Sequence, residues 1–289
     1  MGSQPSFLII GASGYMGRHL YEQLSKKYSV RGTYANNPFP GGIYFDLTKS
    51  NPQKLPLTNV KYAVIFSAIS KIDFCKSQPE LSHKINVEGI QKLLNELNQK
   101  GVTPIYASSD GVYPGFVGGY GEDCQEPAVH TYGEHRREVE HFIQSHFQRY
   151  CVLRFSKVVG YDNKKSDLLS EIFQKLIAGN VLKLVENQMF QVVSLSDMVA
   201  VIEKVAQKNM EGIFNIATPE TVSRKELVRR MAGLMDIENP AIQEFPVSYF
   251  NFLDKRAINP SMKIDRFLSS SGFRFQSVDE ILRDFLKEA

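Results

Sequence analysis

The chain has 289 residues, 43% of them hydrophobic and 22% charged, which suits one full α/β unit with a smaller appended lobe. A formal net charge of +3, without a basic block or an aromatic-interleaved patch, argues against a nucleic-acid partner while leaving room for an anionic small substrate. The three cysteines, Cys75, Cys124 and Cys151, lack metal-ligand or redox spacing, which points to no metal site and to reduced thiols in a cytoplasmic setting.

The apolar run FLIIG (7–11) reads as a buried strand. It is too short for a signal peptide and enters a glycine turn directly, and no later stretch reaches membrane-spanning length, so a soluble protein is expected. A helix follows at 16–27, then a strand at 28–34 and an apolar strand at 61–68. The next helix spans 79–100, with Pro79 in its first turn, where a missing N–H is harmless. A strand at 102–109, a helix at 132–147 and a strand at 150–160 complete the first part. This strand–helix alternation predicts a parallel sheet covered on both faces. The glycine-rich stretch 114–130 reads as a loop, either an active-site flap or a plain surface insertion. Further on, strands are expected at 181–185 and 212–217 and a helix at 194–208. Ser223 with Glu226 and Ser277 with Glu280 have the spacing of capping boxes.

The segment GASGYMG (11–17) has the spacing Gly-x-x-Gly-x-x-Gly between a strand and a helix. Gly11 suits the tight turn, Gly14 lets backbone approach a phosphate, and Gly17 lets the helix lie close to the sheet. The exposed N–H groups around Ser13, Tyr15 and Met16 then favour an anion, and in this context the pattern predicts a dinucleotide site. NAD sites usually carry an acidic residue at the end of the second strand, but here that strand ends GTYANN (32–37). The missing carboxylate favours NADP, with NAD as the alternative. Arg18 and Arg31 are candidates for the 2′-phosphate, and Asp46 suits an adenine-edge contact.

Five later segments, in order, resemble the extended short-chain dehydrogenase/reductases, and among these the dTDP-4-dehydrorhamnose reductases. They are FSAISKIDFCKSQPELSHKINVEGIQKLL (66–94), YASSDGVYPG (106–115), TYGEHRREVE (131–140), VENQMFQVVSLSDM (185–198) and RAINPSMKIDRF (256–267). The resemblance implies a doubly wound Rossmann sheet, with residues 1–156 as the dinucleotide-binding domain and a returning segment near 190–217. Residues 157–289 would then form mainly a smaller C-terminal α/β substrate lobe. It implies NADPH-dependent reduction of a keto group on a nucleotide-linked sugar, in a chain that is a candidate homodimer. Tyr132 would protonate the carbonyl oxygen, and Ser109 would hydrogen-bond the same oxygen. Leu47, Ser67, Ala68, Asn86 and Ser108 would face the cofactor. Asp110, Gly111, Val112 and Arg256 would face the substrate, with Lys71 and Arg154 as further candidates for its diphosphate.

One departure bears on catalysis. Where the family has lysine four residues after the tyrosine, this chain has Arg136. One helical turn keeps it on the same face. A phenol, with an ordinary pKa near ~10, needs a nearby positive charge to act as an acid at neutral pH. Arginine supplies the charge but cannot shuttle a proton. Two readings stay open, a reductase with a modified relay or a weakened site, with His135, Arg137 and Lys157 as candidates to supply what is missing. Two rivals accompany the reductase: an epimerase with tightly held NAD, and a binding module like the regulatory subunit of methionine adenosyltransferase, which resembles the same reductases. Ser109-Asp110-Gly111 lacks the second acid of the sugar-nucleotide dehydratases, so elimination chemistry is not expected.

Overall fold

The computed structural model describes residues 5–161 and 167–289. Its strands are β1 (Ser6–Ile10), β2 (Ser29–Tyr34), β3 (Ile43–Tyr44), β4 (Tyr62–Ile65), β5 (Thr103–Ser109), β6 (Cys151–Phe155), β7 (Lys157–Val159), β8 (Leu182–Val185), β9 (Met189–Phe190), β10 (Val192–Ser194), β11 (Gly212–Ile216), β12 (Val222–Ser223) and β13 (Ile242–Phe245). Its helices are α1 (Tyr15–Leu24), α2 (Ile72–Ser77), α3 (Pro79–His83), α4 (Ile90–Gln99), α5 (Thr131–His146), α6 (Leu168–Ile177), α7 (Leu195–Lys208), α8 (Arg224–Leu234), α9 (Asp265–Ser271) and α10 (Val278–Glu288).

Seven strands form one parallel sheet in the order β11-β6-β5-β4-β1-β2-β3. Strand order reverses beside β1, and in such sheets ligands bind beyond the carboxyl ends of the strands at the reversal. The apolar runs are unbroken because both sheet faces are buried. Phe7, Ile9, Tyr62, Val64, Ile105 and Leu153 belong to a core that includes Leu20 and Leu24 of α1 and Ile202 of α7. Their neighbours Leu8, Ile10, Ala63, Ile65, Tyr106 and Val152 face α4 and α5. A third core, with Leu169, Leu184, Leu227 and Leu282, gathers α6, β8, α8 and α10. No helix among the described residues is long and apolar enough to cross a membrane.

Several elements depart from the sequence reading. The strand expected at 150–160 is two: at Ser156, whose N–H donates to the Ile216 carbonyl, the chain leaves the main sheet and β7 pairs with β10. The helix expected at 79–100 passes through a π-helical turn at Lys84–Gly89. There Gly89 lies so close to residue 47 that a Cβ would stand 2.8 Å from the Leu47 carbonyl oxygen. The capping box is complete at Ser277 and Glu280. At Ser223 only half of it forms, because the Glu226 carboxylate pairs with Arg230. The stretch 114–130 borders the cleft described below only at its last residue, His130. It is held instead against the C-terminal segment, with Tyr120 N–H donating to the Ser261 carbonyl and Lys263 N–H to the Tyr120 carbonyl.

Candidate functional site

A cleft of about 1360 Å³ runs across the carboxyl ends of β1, β2, β4 and β5. That exceeds the roughly 300–1,000 Å³ of a pocket for one small ligand.

One end is built from the glycine turn. Gly11 has φ +87°, and its N–H donates to Thr33 Oγ1 at 3.0 Å. Gly17 permits the close return of the helix, since a Cβ there would sit 2.1 Å from the Gly11 carbonyl oxygen. The N-cap of α1 is Gly14, and no side-chain cap forms there among the described residues. Ser13, Gly14, Tyr15 and Met16 border the cleft with these glycines. Ala35, Asn36 and Asn37 follow β2 along the same wall, with Asp46, Leu47 and Lys49 beside them. The Asp46 carboxylate accepts from Thr48 Oγ1 at 2.7 Å and Thr48 N–H at 2.8 Å, and the first of these does most to hold its pKa below the ordinary carboxylate value.

The middle of the cleft is where α5 meets the turn after β5. The meeting depends on Gly133, where a Cβ would stand 1.9 Å from the Gly111 carbonyl oxygen. His130 caps the helix, its Nδ1 accepting from Gly133 N–H at 3.0 Å. Burial lowers the His130 pKa, which keeps that nitrogen free to accept. Thr131 N–H and Oγ1 both donate to Asp254 Oδ2, at 2.9 and 2.8 Å. So fixed, Tyr132, Arg136 and Glu140 fall on one face of α5 at successive turns. Arg136 is 5% exposed; its Nε donates to the Tyr132 phenol oxygen at 3.0 Å and its Nη1 to the Tyr106 phenol oxygen at 2.8 Å. Ser109 Oγ donates to Asp110 Oδ1 at 2.9 Å and accepts from Gly111 N–H at 3.0 Å. Burial raises the Asp110 pKa, opposed by the Ser109 bond and by the charge of Lys157. Lys157 is an exposed residue on the cleft wall, and desolvation lowers its pKa against the pull of Asp110.

Residues 6–289 match the family model of the RmlD substrate binding domain. The chain belongs to that family. Among curated proteins, it is 25% identical to methionine adenosyltransferase 2 subunit beta of Xenopus tropicalis, over 80% of this chain and 72% of that one. It is 22% identical to the probable low-salt glycan biosynthesis reductase Agl14 of Haloferax volcanii, over 87% and 86%. Its fold is that of the dTDP-4-dehydrorhamnose reductase of Bacillus anthracis solved in complex with NADP, with TM-score 0.88, 19% identity, and 99% and 100% of the two chains covered.

Several residues of this RmlD-family chain stand elsewhere than its sequence suggested. Asn86 does not border the cleft. Its amide holds the chain one layer behind, accepting from Ile69 N–H at 2.7 Å and donating to the Ile69 carbonyl at 2.9 Å. Val112 is fully buried in the core beneath the site. Ser108 borders the cleft, but its hydroxyl is given to Glu140. Arg154 is also spent inside, 2.6 Å from Glu140 and donating to Tyr113 at 2.8 Å, so it cannot reach a diphosphate. Arg31 donates to the carbonyls of Pro56 and Thr58, and neither it, Arg18 nor Lys71 borders the cleft. Arg137 ties down the carbonyls of Gln125 and Glu126. His135 is buried edge-on to His83, away from the cleft. Ser67, Ala68 and Gly111 do border it.

Arg256 borders the cleft, paired with Asp73 at 2.8 Å and lying 4.2 Å from the Phe252 ring centroid. The substrate-side cations went largely unnoticed in the sequence. Besides Lys157 and Arg256, the cleft wall carries Lys175, Lys183 and Arg224. Arg224 Nε is buried with no hydrogen-bond partner among the described residues, and desolvation lowers the Arg224 pKa. These side chains come from separate elements with no sequence spacing in common, and only the fold gathers them.

Proposed function

We propose that the chain reduces a keto group on a nucleotide-linked sugar, with NADPH as the electron donor. The observation that carries this reading is the Arg136-bonded phenol of Tyr132, in one cleft with Ser109, the glycine turn and a cluster of cations. The residues fit the cofactor: the Gly11–Gly17 turn leaves helix N–H groups for a pyrophosphate, and Asn36, Asn37 and Lys49 present no repulsion to a 2′-phosphate. Asp46 and Leu47 would lie along its adenosine half, and Ser67 and Ala68 along the pyrophosphate. When bound, NADPH supplies a hydride.

The chain's own groups do the rest. Ser109 would turn its hydroxyl from Asp110 to the carbonyl oxygen, donating to it and polarising it. As the carbonyl carbon accepts the hydride, Tyr132 passes its phenolic proton to that oxygen, giving the alcohol. The Arg136 N–H bonded to the phenol oxygen stabilises the negative charge left there, and a proton from water restores the phenol. Asp110 and Gly111 would border the sugar. Arg224, whose Nε has no hydrogen-bond partner among the described residues, supports with Lys157, Lys175, Lys183 and Arg256 a polyanionic handle such as a nucleoside diphosphate.

A second reading is favoured by one observation: the 25%-identical relative is a subunit of methionine adenosyltransferase. There the cleft would hold a dinucleotide while the chain serves a partner. A steady-state assay of NADPH oxidation with dTDP-, UDP- and GDP-linked 4-keto sugars separates the two. Turnover on one of them supports the reductase. Tight NADPH binding without turnover on any overturns it in favour of the partner-binding reading. NAD retained through purification, with interconversion of sugar epimers, would favour an epimerase.

A further inference from the structure

The guanidinium of Arg136 serves two phenols, and the chemistry above uses one. Tyr106 lies in β5, fully buried on the sheet face covered by α4 and α5, and does not border the cleft. Its oxygen accepts from Arg136 Nη1 at 2.8 Å, and the guanidinium carbon stands 5.3 Å from its ring centroid. The same carbon is 5.0 Å from the Tyr132 ring centroid.

We propose that Tyr106 is a positioning residue for catalysis, anchoring Arg136 Nη1 so that Nε stays aimed at the Tyr132 phenol oxygen. The inference rests on the reductase reading. An arginine side chain has several rotatable bonds, and one hydrogen bond leaves its fork free to swing. Two bonds from two atoms of one rigid plane fix the plane. The anchor also sets register. Tyr106 belongs to the strand that ends in Ser109, whereas Tyr132 and Arg136 belong to α5, so the bond ties the acid to the strand that polarises the carbonyl. Burial pushes the Tyr106 pKa up to about 12, so its phenol stays neutral while Arg136 donates to it. The lysine usual in this position of the family ends in a single nitrogen and has no second arm for such an anchor.

The test is a double-mutant cycle of Tyr106→Phe, Arg136→Lys and the pair, read as kcat, KM, NADPH affinity and unfolding free energy. Tyr106→Phe is expected to lower kcat about tenfold, the scale of one lost charge-assisted hydrogen bond, with KM and NADPH affinity unchanged. In the Arg136→Lys background the same change should have no further effect on kcat, because the fork is already gone. A kcat equal to wild type, or losses that multiply in the pair, overturns the proposal and leaves the reductase reading standing. If the wild type turns over no keto sugar, the reductase reading falls. Coupling seen then in unfolding free energy alone would reduce Tyr106 to a structural partner.

Discussion

Replacing Arg136 by lysine keeps the charge and removes the fork, so it asks which of the two matters. The guanidinium reaches Tyr132 with Nε at 3.0 Å and Tyr106 with Nη1 at 2.8 Å. A lysine ammonium is a single donor centre on a flexible stem and can hold only one of these phenols in place. If it goes to Tyr132, the Tyr106 hydroxyl, 0% exposed, is left buried without its donor, at a cost of about 1–3 kcal/mol. At roughly 2–4 °C per kcal/mol for a chain of this size, thermal unfolding should move down by several degrees. The ammonium still stabilises charge on the Tyr132 oxygen, though less well aimed, so kcat should fall about tenfold. Arg136→Met removes both bonds and the charge, and its kcat should fall about tenfold further. Thermal unfolding and steady-state kinetics on the three proteins check this. Lysine at wild-type Tm and wild-type kcat would refute the reasoning, since neither the second phenol nor the planar fork would then matter.

Tyr132→Phe should lower kcat about 10²-fold or more while leaving NADPH affinity nearly unchanged, measured by fluorescence titration; an active phenylalanine variant would move the acid elsewhere. Gly17→Ala places a Cβ 2.1 Å from the Gly11 carbonyl oxygen, so NADPH affinity and Tm should both fall, with KM for the sugar nucleotide as the control. Asp110→Asn tests the desolvated carboxyl. Its folded pKa is raised above the ordinary 3.8, so its contribution to stability is full below that value and is lost as pH rises through the raised one. The asparagine variant should therefore unfold at a higher temperature than wild type near neutrality, and the gain should vanish in acid. A gain that grows toward low pH contradicts this sign.

What the sequence revealed follows from how local the cause is. The buried strands are legible because a sheet covered on both faces needs unbroken apolar runs, as in Leu8 and Ile9, which face opposite cores. The glycine turn is legible because its requirements are backbone ones: the left-handed φ of Gly11 and the contact that only Gly17 allows. Longer-range partners are not. Arg154 looks like a free cation until Glu140, on α5, is brought beside it. Asn86 looks like a site residue until its amide is taken by Ile69 and Cys75. The break at Ser156 is set by distant partners, β11 holding the chain up to the Ile216 bond and β10 taking it from Lys157. Gly133 sits in plain view beside the tyrosine, yet its importance lies in Gly111, on another element.

The two kinds of relative make different demands on the cleft, and its charges bear on the choice. Away from it, buried charge is neutralised in place, as by the 2.6 Å pair of Arg154 and Glu140. Along the cleft some charges are paired, as Arg256 with Asp73 and Lys175 with Glu171, but others are not. Asp110 is desolvated to a raised pKa, Lys157 and Arg224 to lowered ones, and Arg224 Nε has no hydrogen-bond partner among the described residues. Each of these groups makes the folded chain less stable than an apolar or paired residue would. Gathering such groups on one surface is what a site for reaction or anion binding requires, because a ligand then supplies the missing partners. A dinucleotide alone would account for the glycine end. It gives no reason for cations on the opposite wall, or for a guanidinium held beneath a phenol that opens on the cleft. Those features favour a second, anionic ligand beside the cofactor, and with it the reductase over the partner-binding subunit.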